Sequence, residues 1–419
     1  MDTNDFLGSF AQENVSFSTQ IVRSARVGDN YWTTMVFVES DRFVSATTEN
    51  GWEDAPGLPS CKVLVVTADT YAQFTSGLLA SWLYDLFCNG FTGNCILVAP
   101  GKMQMDDVKK YVPIEGWVEG CFKLNEDGET YEPAEESEPG VQYYEEVTTP
   151  GFVAAMEEAY EVLKPYAYHK TICAGGQTSV NAEYAVALAK KCMADDYLSA
   201  APCLPQTDPD LNAEGTLYRP LKDANADAFM GWHSDKTRNA ALYSLGLALS
   251  AYNSSGTQIG NGMDMTASSN ITASNDGINP TVGQKSVLKG AYVQYFKTVG
   301  DNTGNVAAET DKTINGKVYA AYWILGYVTY MCKVRVAQML TRRNFYKNAF
   351  NYGQIVSTME NIVKRFEGAG LTNIVISAPS YGALPEAADD ELIIPNAWSA
   401  QYVNHLRKVT ISGTLYIGS

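Results

Sequence analysis

Apolar and polar positions change period several times along this chain, and each change marks an element. Val15, Phe17 and Ile21 alternate with Ser16, Ser18 and Gln20, which predicts a strand over Val15–Val22. Trp32–Glu39 (WTTMVFVE) predicts a second strand, and residues 45–60, rich in Thr, Gly and Pro, a loop. From Cys61 strands and helices take turns. Strands are expected at Lys62–Thr67 (buried), Asn94–Ala99, Lys170–Ala174 and Ala228–Gly231. Helices are expected at Ser76–Cys88, Phe152–Leu163, Ala182–Met193 and Arg238–Tyr252, with a short one at Met105–Tyr111. That order predicts a mixed α/β fold, helix-covered mixed sheets, with extended β-arms at both termini.

After Tyr252 the pattern loosens. Residues 253–286 are dominated by Ser, Thr, Asn and Gly; a strand follows at Ala291–Val299 and a polar loop at Gly300–Gly316. Tyr319, Tyr322, Trp323, Gly326, Tyr330, Val334, Ala337 and Leu340 then recur at three- and four-residue steps, one stripe of a helix. If Val318–Phe350 is unbroken, that helix spans about 50 Å. Asn348, Asn351 and Gly353 are read as its end, and Gln354–Glu367 as a second helix. A strand at Leu371–Ser377 and a loop over 378–398 precede a terminal alternation of Val409, Ile411, Leu415 and Ile417. Four regions emerge: a 1–22 arm, an α/β region over 23–252, a 253–398 region holding the long helix, and a 399–419 arm. No internal repeat is visible.

Charge alters this picture in two places. The 419-residue chain carries −17, which excludes wrapping duplex nucleic acid. Yet Lys317–Phe366 holds eight basic residues (Lys317, Lys333, Arg335, Arg342, Arg343, Lys347, Lys364, Arg365) against one acid, Glu360. On a helical projection Arg335, Arg342, Arg343 and Lys347 oppose the aromatic stripe, and Lys333 lies at its edge. A basic face on an acidic protein fits an acidic partner surface; the plain alternative is a solvated face. Conversely, Glu115–Glu161 carries fourteen acids against Lys123 alone. Its middle, Asn125–Glu146, reads as an exposed acidic excursion in which Pro133 and Pro139 discourage regular structure.

Catalytic chemistry is absent from the pattern. There is no Walker loop and no GxGxxG after a strand. Ala174-Gly175-Gly176-Gln177 is the nearest phosphate-cradle candidate, but two glycines at a strand-to-helix turn are far more often only a tight turn. The three histidines, His169, His233 and His405, are scattered. Asp301–Asp311 places its glycine at the fourth position and not the sixth that a calcium loop requires. The eight cysteines form no CxxC pair and are expected as free thiols. Met1–Asn14 is polar and acidic, unlike a signal peptide, and the apolar run near Tyr319–Tyr330 is shorter than a membrane span. No catalytic residue, metal or cofactor is expected.

In its layout the chain resembles the contractile-tail sheath proteins of bacteriophages, chiefly the divergent large-phage type. The resemblance rests on Tyr71-Ala-Gln-Phe before a helix and Cys95-Ile-Leu-Val after it, and on Phe229-Met-Gly-Trp-His before an alanine-rich helix. It rests also on Tyr292–Phe296 leading through Gly304 and Gly316 into the aromatic–basic helix, and on a Pro395–Trp398 loop, Arg407-Lys408 and a terminal strand. The family's commoner C-terminal motifs have no residue-by-residue counterpart here. The resemblance implies a virion subunit, assembled in the host cytoplasm, that polymerises as stacked rings around a tail tube. Its partners would be its own copies, the tube, and baseplate and terminator proteins, without direct nucleic-acid contact or membrane insertion. Both arms would add strands to neighbouring subunits. Lys333, Arg335, Arg342, Arg343, Lys347, Lys364 and Arg365 would face the tube. Contraction, driving the tube through the host envelope for genome ejection, would be rigid-body movement without nucleotide. Two other readings stay open: another virion component (tube or baseplate), and an α/β enzyme with an acidic lid. The terminal strands could also pair with each other inside one subunit.

Overall fold

The computed structural model describes residues 33–39, 51–101, 107–125, 130–176, 178–195, 199–255, 267–268, 280–298, 306–341, 345–368, 370–387, 392–395 and 397–402. The first half runs β1 (Thr34–Val38), β2 (Glu53–Ala55), β3 (Leu58–Val66), α1 (Gly77–Phe87), β4 (Cys95–Ala99), β5 (Val108–Ile114), β6 (Phe122–Leu124), β7 (Tyr131–Pro133), β8 (Tyr143–Thr149), α2 (Gly151–Leu163), β9 (His169–Cys173) and α3 (Ala182–Ala194). The second half continues with β10 (Cys203–Gln206), α4 (Tyr218–Asp223), β11 (Phe229–Trp232), α5 (Ala240–Ser255), β12 (Ala267–Ser268), α6 (Val282–Gly290), β13 (Gln294–Thr298), β14 (Val306–Glu309), α7 (Tyr319–Leu340), α8 (Ala349–Lys364), β15 (Leu371–Ile376) and β16 (Trp398–Tyr402). The fold is mixed α/β with open sheets.

Two five-stranded mixed sheets carry the core, in the orders β2-β3-β4-β1-β9 and β10-β11-β13-β14-β12. In the first, β1 lies parallel between β4 and β9, and all five of its residues are buried. Burial on both faces is why Thr-Met-Val-Phe-Val reads as a continuous run and not an alternation. In the second, β10, β11 and β13 are parallel and β14 turns back antiparallel. The sheets meet where β9 passes β10. There Thr171 Oγ1 donates to the Cys203 carbonyl at 2.5 Å, and Ala200 N to the Tyr168 carbonyl at 3.0 Å. One apolar cluster runs through both.

Helices α1 and α5 lock the two halves together. Gly246 of α5 lies so close to α1 that a Cβ there would sit 2.2 Å from the Leu86 carbonyl oxygen. Beside it Asp85, fully buried, accepts from Arg238 Nε at 2.6 Å and from Asn239 N at 2.8 Å. Burial pushes the Asp85 carboxyl up to about 6, against the opposing pull of Arg238. Asn181 caps α3, and a Thr281/Gln284 capping box starts α6.

Several expectations need correction. The helix expected over 318–350 is shorter: α7 ends at Leu340, making it about 33 Å long. Asn348 does not end it but caps α8, accepting from Asn351 N at 2.9 Å. The expected short helix at Met105–Tyr111 gives way to β5, whose seven residues pair antiparallel with β8. The 125–146 excursion is not irregular: with its flanks it forms a four-stranded antiparallel sheet, β5-β8-β6-β7. Pro133 fits because β7 is an edge strand, where an amide donor can be spared. The 45–60 loop contains β2 and the start of β3, the 300–316 loop contains β14, and 253–286 contains the beginning of α6. β3 is only partly covered, with Val65 52 % exposed. The arm strands, with Val15, Phe17, Ile21, Val409, Ile411, Leu415 and Ile417, lie outside the described residues.

Candidate assembly surfaces

Helix α7 is fixed into the body by its aromatic stripe. Tyr319 and Trp323 are fully buried. The Tyr319 hydroxyl lies 3.0 Å from His169 Nδ1, at the seam between the sheets. Gly326 lets the helix settle on Tyr168: a Cβ would fall 2.6 Å from that hydroxyl and 2.7 Å from the ring. Beyond this stripe the expected basic face does not materialise along α7. Among its described side chains only Leu325 and Arg335 are exposed. A helix that is apolar nearly all round is enclosed, and α7 obeys that rule.

The sequence-selected basic residues therefore separate. Lys333 is 2 % exposed and does not share a surface with the rest; burial lowers its ammonium to about 8. Arg335 is exposed and donates from Nη1 to Gln338 Oε1 at 3.1 Å. α8 folds back antiparallel along α7, pairing Phe366 with Tyr327 (ring centroids 5.6 Å apart) and Ile355 with Val336 in one apolar cluster. Lys347 is exposed at the turn of this hairpin, and its carbonyl accepts from Tyr381 Oη at 3.0 Å. Lys364 and Arg365 are exposed at the other end of α8, about 24 Å from Lys347. Lys364 pairs with Glu360 at 2.5 Å, and that hydrogen bond raises its ammonium. Arg342 and Arg343 lie outside the described residues.

Sequence reasoning missed two side chains at the same turn. Tyr346 is 65 % exposed and Phe350 73 % exposed. The available signal was the run Arg342-Arg343-Asn-Phe-Tyr-Lys-Asn-Ala-Phe350, which interleaves aromatic and basic residues without a core-forming period.

A second surface is the antiparallel pair β15–β16, set beside the C-terminal end of α8. Leu371 pairs with Tyr402 and Ile376 with Trp398, with a bulge between Thr372 and Val375. Asn373 takes φ 50° at that bulge and donates from Nδ2 to Gln401 Oε1 at 2.7 Å. Among the described residues this sheet has only two strands, so both have an outer edge without a strand partner, and Val375 is 54 % exposed. A two-stranded sheet is marginal in water unless a helix or a third strand covers it; here Leu371 joins the main apolar cluster and Ile374 and Trp398 pack against it, which covers one face and leaves the outer edges.

The acidic sheet is a third. Its lysines are committed: Lys109 to Glu146 at 2.8 Å, Lys110 to Glu157 at 3.1 Å, and Lys123 to Glu138 and Glu132. Tyr111, Phe122, Tyr131 and Tyr144 pack together on one face, Tyr111 stacked on Tyr131 at 4.1 Å. Cys121, Ala134 and Tyr143 form a separate small core.

The glycine turn after β9 is structural. Gly175 takes φ 126°, and a Cβ there would fall 2.4 Å from Asn181 N. Its amide donates to the buried Glu39 carboxyl at 2.8 Å, so that N–H is already committed within the protein. Among the described residues no helix is long and apolar enough to cross a membrane, and no three acidic, Cys or His side chains are grouped to hold a metal.

No protein-family model matches the chain, and the search of curated proteins gives no match. A chain of the 6-fold symmetrised cryo-EM structure of the anti-feeding prophage baseplate superposes with a TM-score of 0.54 at 10 % identity, covering 96 % of this chain and 99 % of that one. The sheath tail protein Lin1278 from Listeria innocua gives a TM-score of 0.39 at 10 % identity, covering 91 % of each. The first shows a shared fold over nearly the whole length; the second is too loose to argue from.

Proposed function

We propose that this protein is the structural subunit of a contractile tail sheath, polymerising helically around a tail tube and acting without enzymatic chemistry. The observation that carries the reading is the β15–β16 pair, two strands whose outer edges have no strand partner among the described residues, together with the strand-like alternation of Val15–Val22 and Val409–Ile417 in the sequence. Val15–Val22 and Val409–Ile417 insert into sheets of neighbouring copies, and β15–β16 is the acceptor. Main-chain hydrogen bonds then link subunits while leaving each body free to rotate. The whole-length likeness to a chain of a prophage baseplate supports an assembly of this kind.

In the extended state the basic residues of the α7–α8 hairpin face an acidic tube: Arg335, Arg342, Arg343 and Lys347, with Lys364 and Arg365 at its far end. Single exposed pairs contribute only about 0–1 kcal/mol, so contact needs both groups, one at each end of α8. Contraction is a change of packing between rigid bodies with the arms as hinges. Baseplate and terminator proteins bound the polymer at its two ends. A second reading, favoured by the place of the similar prophage chain in a baseplate, makes this chain a baseplate component that forms one ring and stops.

Removing residues 409–419 tests the reading. The expected product is a folded, soluble monomer that cannot polymerise, because both five-stranded sheets keep their strands. If the truncated chain loses its cooperative melting transition, the terminal strand belongs to its own core and arm exchange is wrong.

A further inference from the structure

A strand that adds to a neighbour's sheet must choose among edges. Among the described residues the four sheets end in β2, β9, β10, β12, β5, β7, β15 and β16. Most of these turn a strand away by simple means. β9 and β10 are buried along their whole length, at the seam between the two five-stranded sheets. β12 has two residues and β7 three, well short of a usual strand. β2 also has three, and its Glu53 and Asp54 are exposed. Short, charged edges are the ordinary way a protein avoids unwanted pairing.

Three edges are left. β15 and β16 read Leu-Thr-Asn-Ile-Val-Ile and Trp-Ser-Ala-Gln-Tyr, with neither charge nor proline. β5 is longer than either, Val-Lys-Lys-Tyr-Val-Pro-Ile, and all seven of its residues pair with β8. By length it is the better template, and Val112, 46 % exposed, offers an incoming strand apolar surface. Its two lysines are committed to Glu146 and Glu157. What sets β5 apart is Pro113, exposed near its end and opposite Tyr144 of β8. Proline has no amide donor, so an unbroken ladder admits it only where that donor would point away from β8. Backbone groups alternate in direction along an antiparallel strand, so those of Lys109, Tyr111 and Pro113 face outward. A strand arriving at this edge finds two donors, then a ring where the third should be.

We propose that Pro113 decides where the arms go. It denies β5 to the terminal strand Val409–Ile417 of a second copy and confines strand exchange to β15–β16. The acidic sheet then stays outside the network of linked subunits, although it carries the longest edge. This rests on the arm-exchange reading above and adds the selectivity that reading lacks.

The test uses the full-length protein and a synthetic peptide of residues 409–419 bearing a photo-crosslinking residue at position 414. Mass spectrometry after irradiation locates the labelled segment. The parent should be labelled in β15–β16 and not in β5. Pro113→Val and Pro113→Ala both restore the donor, and each should raise labelling of β5 about tenfold or more, the effect of one strand-pairing hydrogen bond no longer left unmade. Both variants should melt at or above the parent's temperature, since the restored donor points outward and no bond to β8 changes. A lower melting temperature would place the proline in the inner register and overturn the argument. If neither variant is labelled in β5 while β15–β16 is labelled as in the parent, arm exchange stands and the role of Pro113 is refuted. Labelling of β5 in the parent refutes it as well. If β15–β16 is unlabelled in all three proteins, the arm-exchange reading itself falls.

Discussion

Replacing Arg238 by Met would test whether the two halves of the body are held by a buried charge pair. Asp85 on α1 is fully buried, and Arg238 bonds it from Nε at 2.6 Å just before α5 begins. Met keeps the apolar stem and removes the charge, leaving a carboxylate enclosed without its counter-ion. The Asp85 carboxyl stands at about 6 with Arg238 present; without that attraction it must stand higher. A raised folded value means stability is lost as pH rises from the unfolded value, 3.8, towards the folded one. Parent and variant share that loss up to about pH 6, and only the variant continues to lose above it. At about 1.4 kcal/mol per pH unit, the additional loss is at most about 2 kcal/mol by pH 7.5. Urea unfolding of both proteins at pH 5 and pH 7.5 measures it. The penalty should be larger at pH 7.5 by roughly this amount. An equal penalty at the two pH values would refute the electrostatic account and leave only lost packing.

Gly246→Ala should lower stability by about 1–3 kcal/mol by thermal unfolding, because the new methyl meets backbone oxygen of Leu86 at 2.2 Å; an unchanged melting temperature would mean α1 and α5 are not so closely apposed. Lys170 is fully buried, donates to Ser199 Oγ at 2.6 Å, and is lowered to about 8 from 10.5 by burial. It therefore adds stability as pH rises between these values, and Lys170→Met should remove a rise of up to about 3 kcal/mol; parallel pH–stability curves would contradict this. Deleting Glu132–Glu138 removes most of the edge strand β7 and should leave the main cooperative transition intact by calorimetry, since neither five-stranded sheet uses it. Arg342→Glu with Arg343→Glu should reduce assembly on tubes, most at low salt, as read by sedimentation.

The body was legible in sequence where burial imposes a period. β1 and β4 are short apolar runs, Met-Val-Phe-Val and Cys-Ile-Leu-Val-Ala, and the stripe Tyr319–Trp323–Gly326 does face the core. The acidic sheet was hidden because its strands have little apolar alternation: β8 reads Tyr-Tyr-Glu-Glu-Val-Thr-Thr, and β5 holds Lys-Lys and a proline. Their pairing comes from cross-strand partners far apart in the chain. The hairpin was missed for a different reason. Thr341–Asn348 contains neither Gly nor Pro, so nothing local marks a break, and Asn348 can end one helix or begin the next. Once the chain turns there, basic residues aligned on a straight projection part company. Exposure of Tyr346 and Phe350 was hinted at only by the aromatic–basic interleaving of residues 342–350, since it depends on which other elements reach that turn.

Helical polymerisation is most directly tested by negative-stain microscopy of the purified full-length protein, alone and with tubes. The account predicts long striated cylinders of stacked rings that sheathe the tubes. Single rings that never stack, or dispersed monomers at high concentration with tubes present, would contradict it.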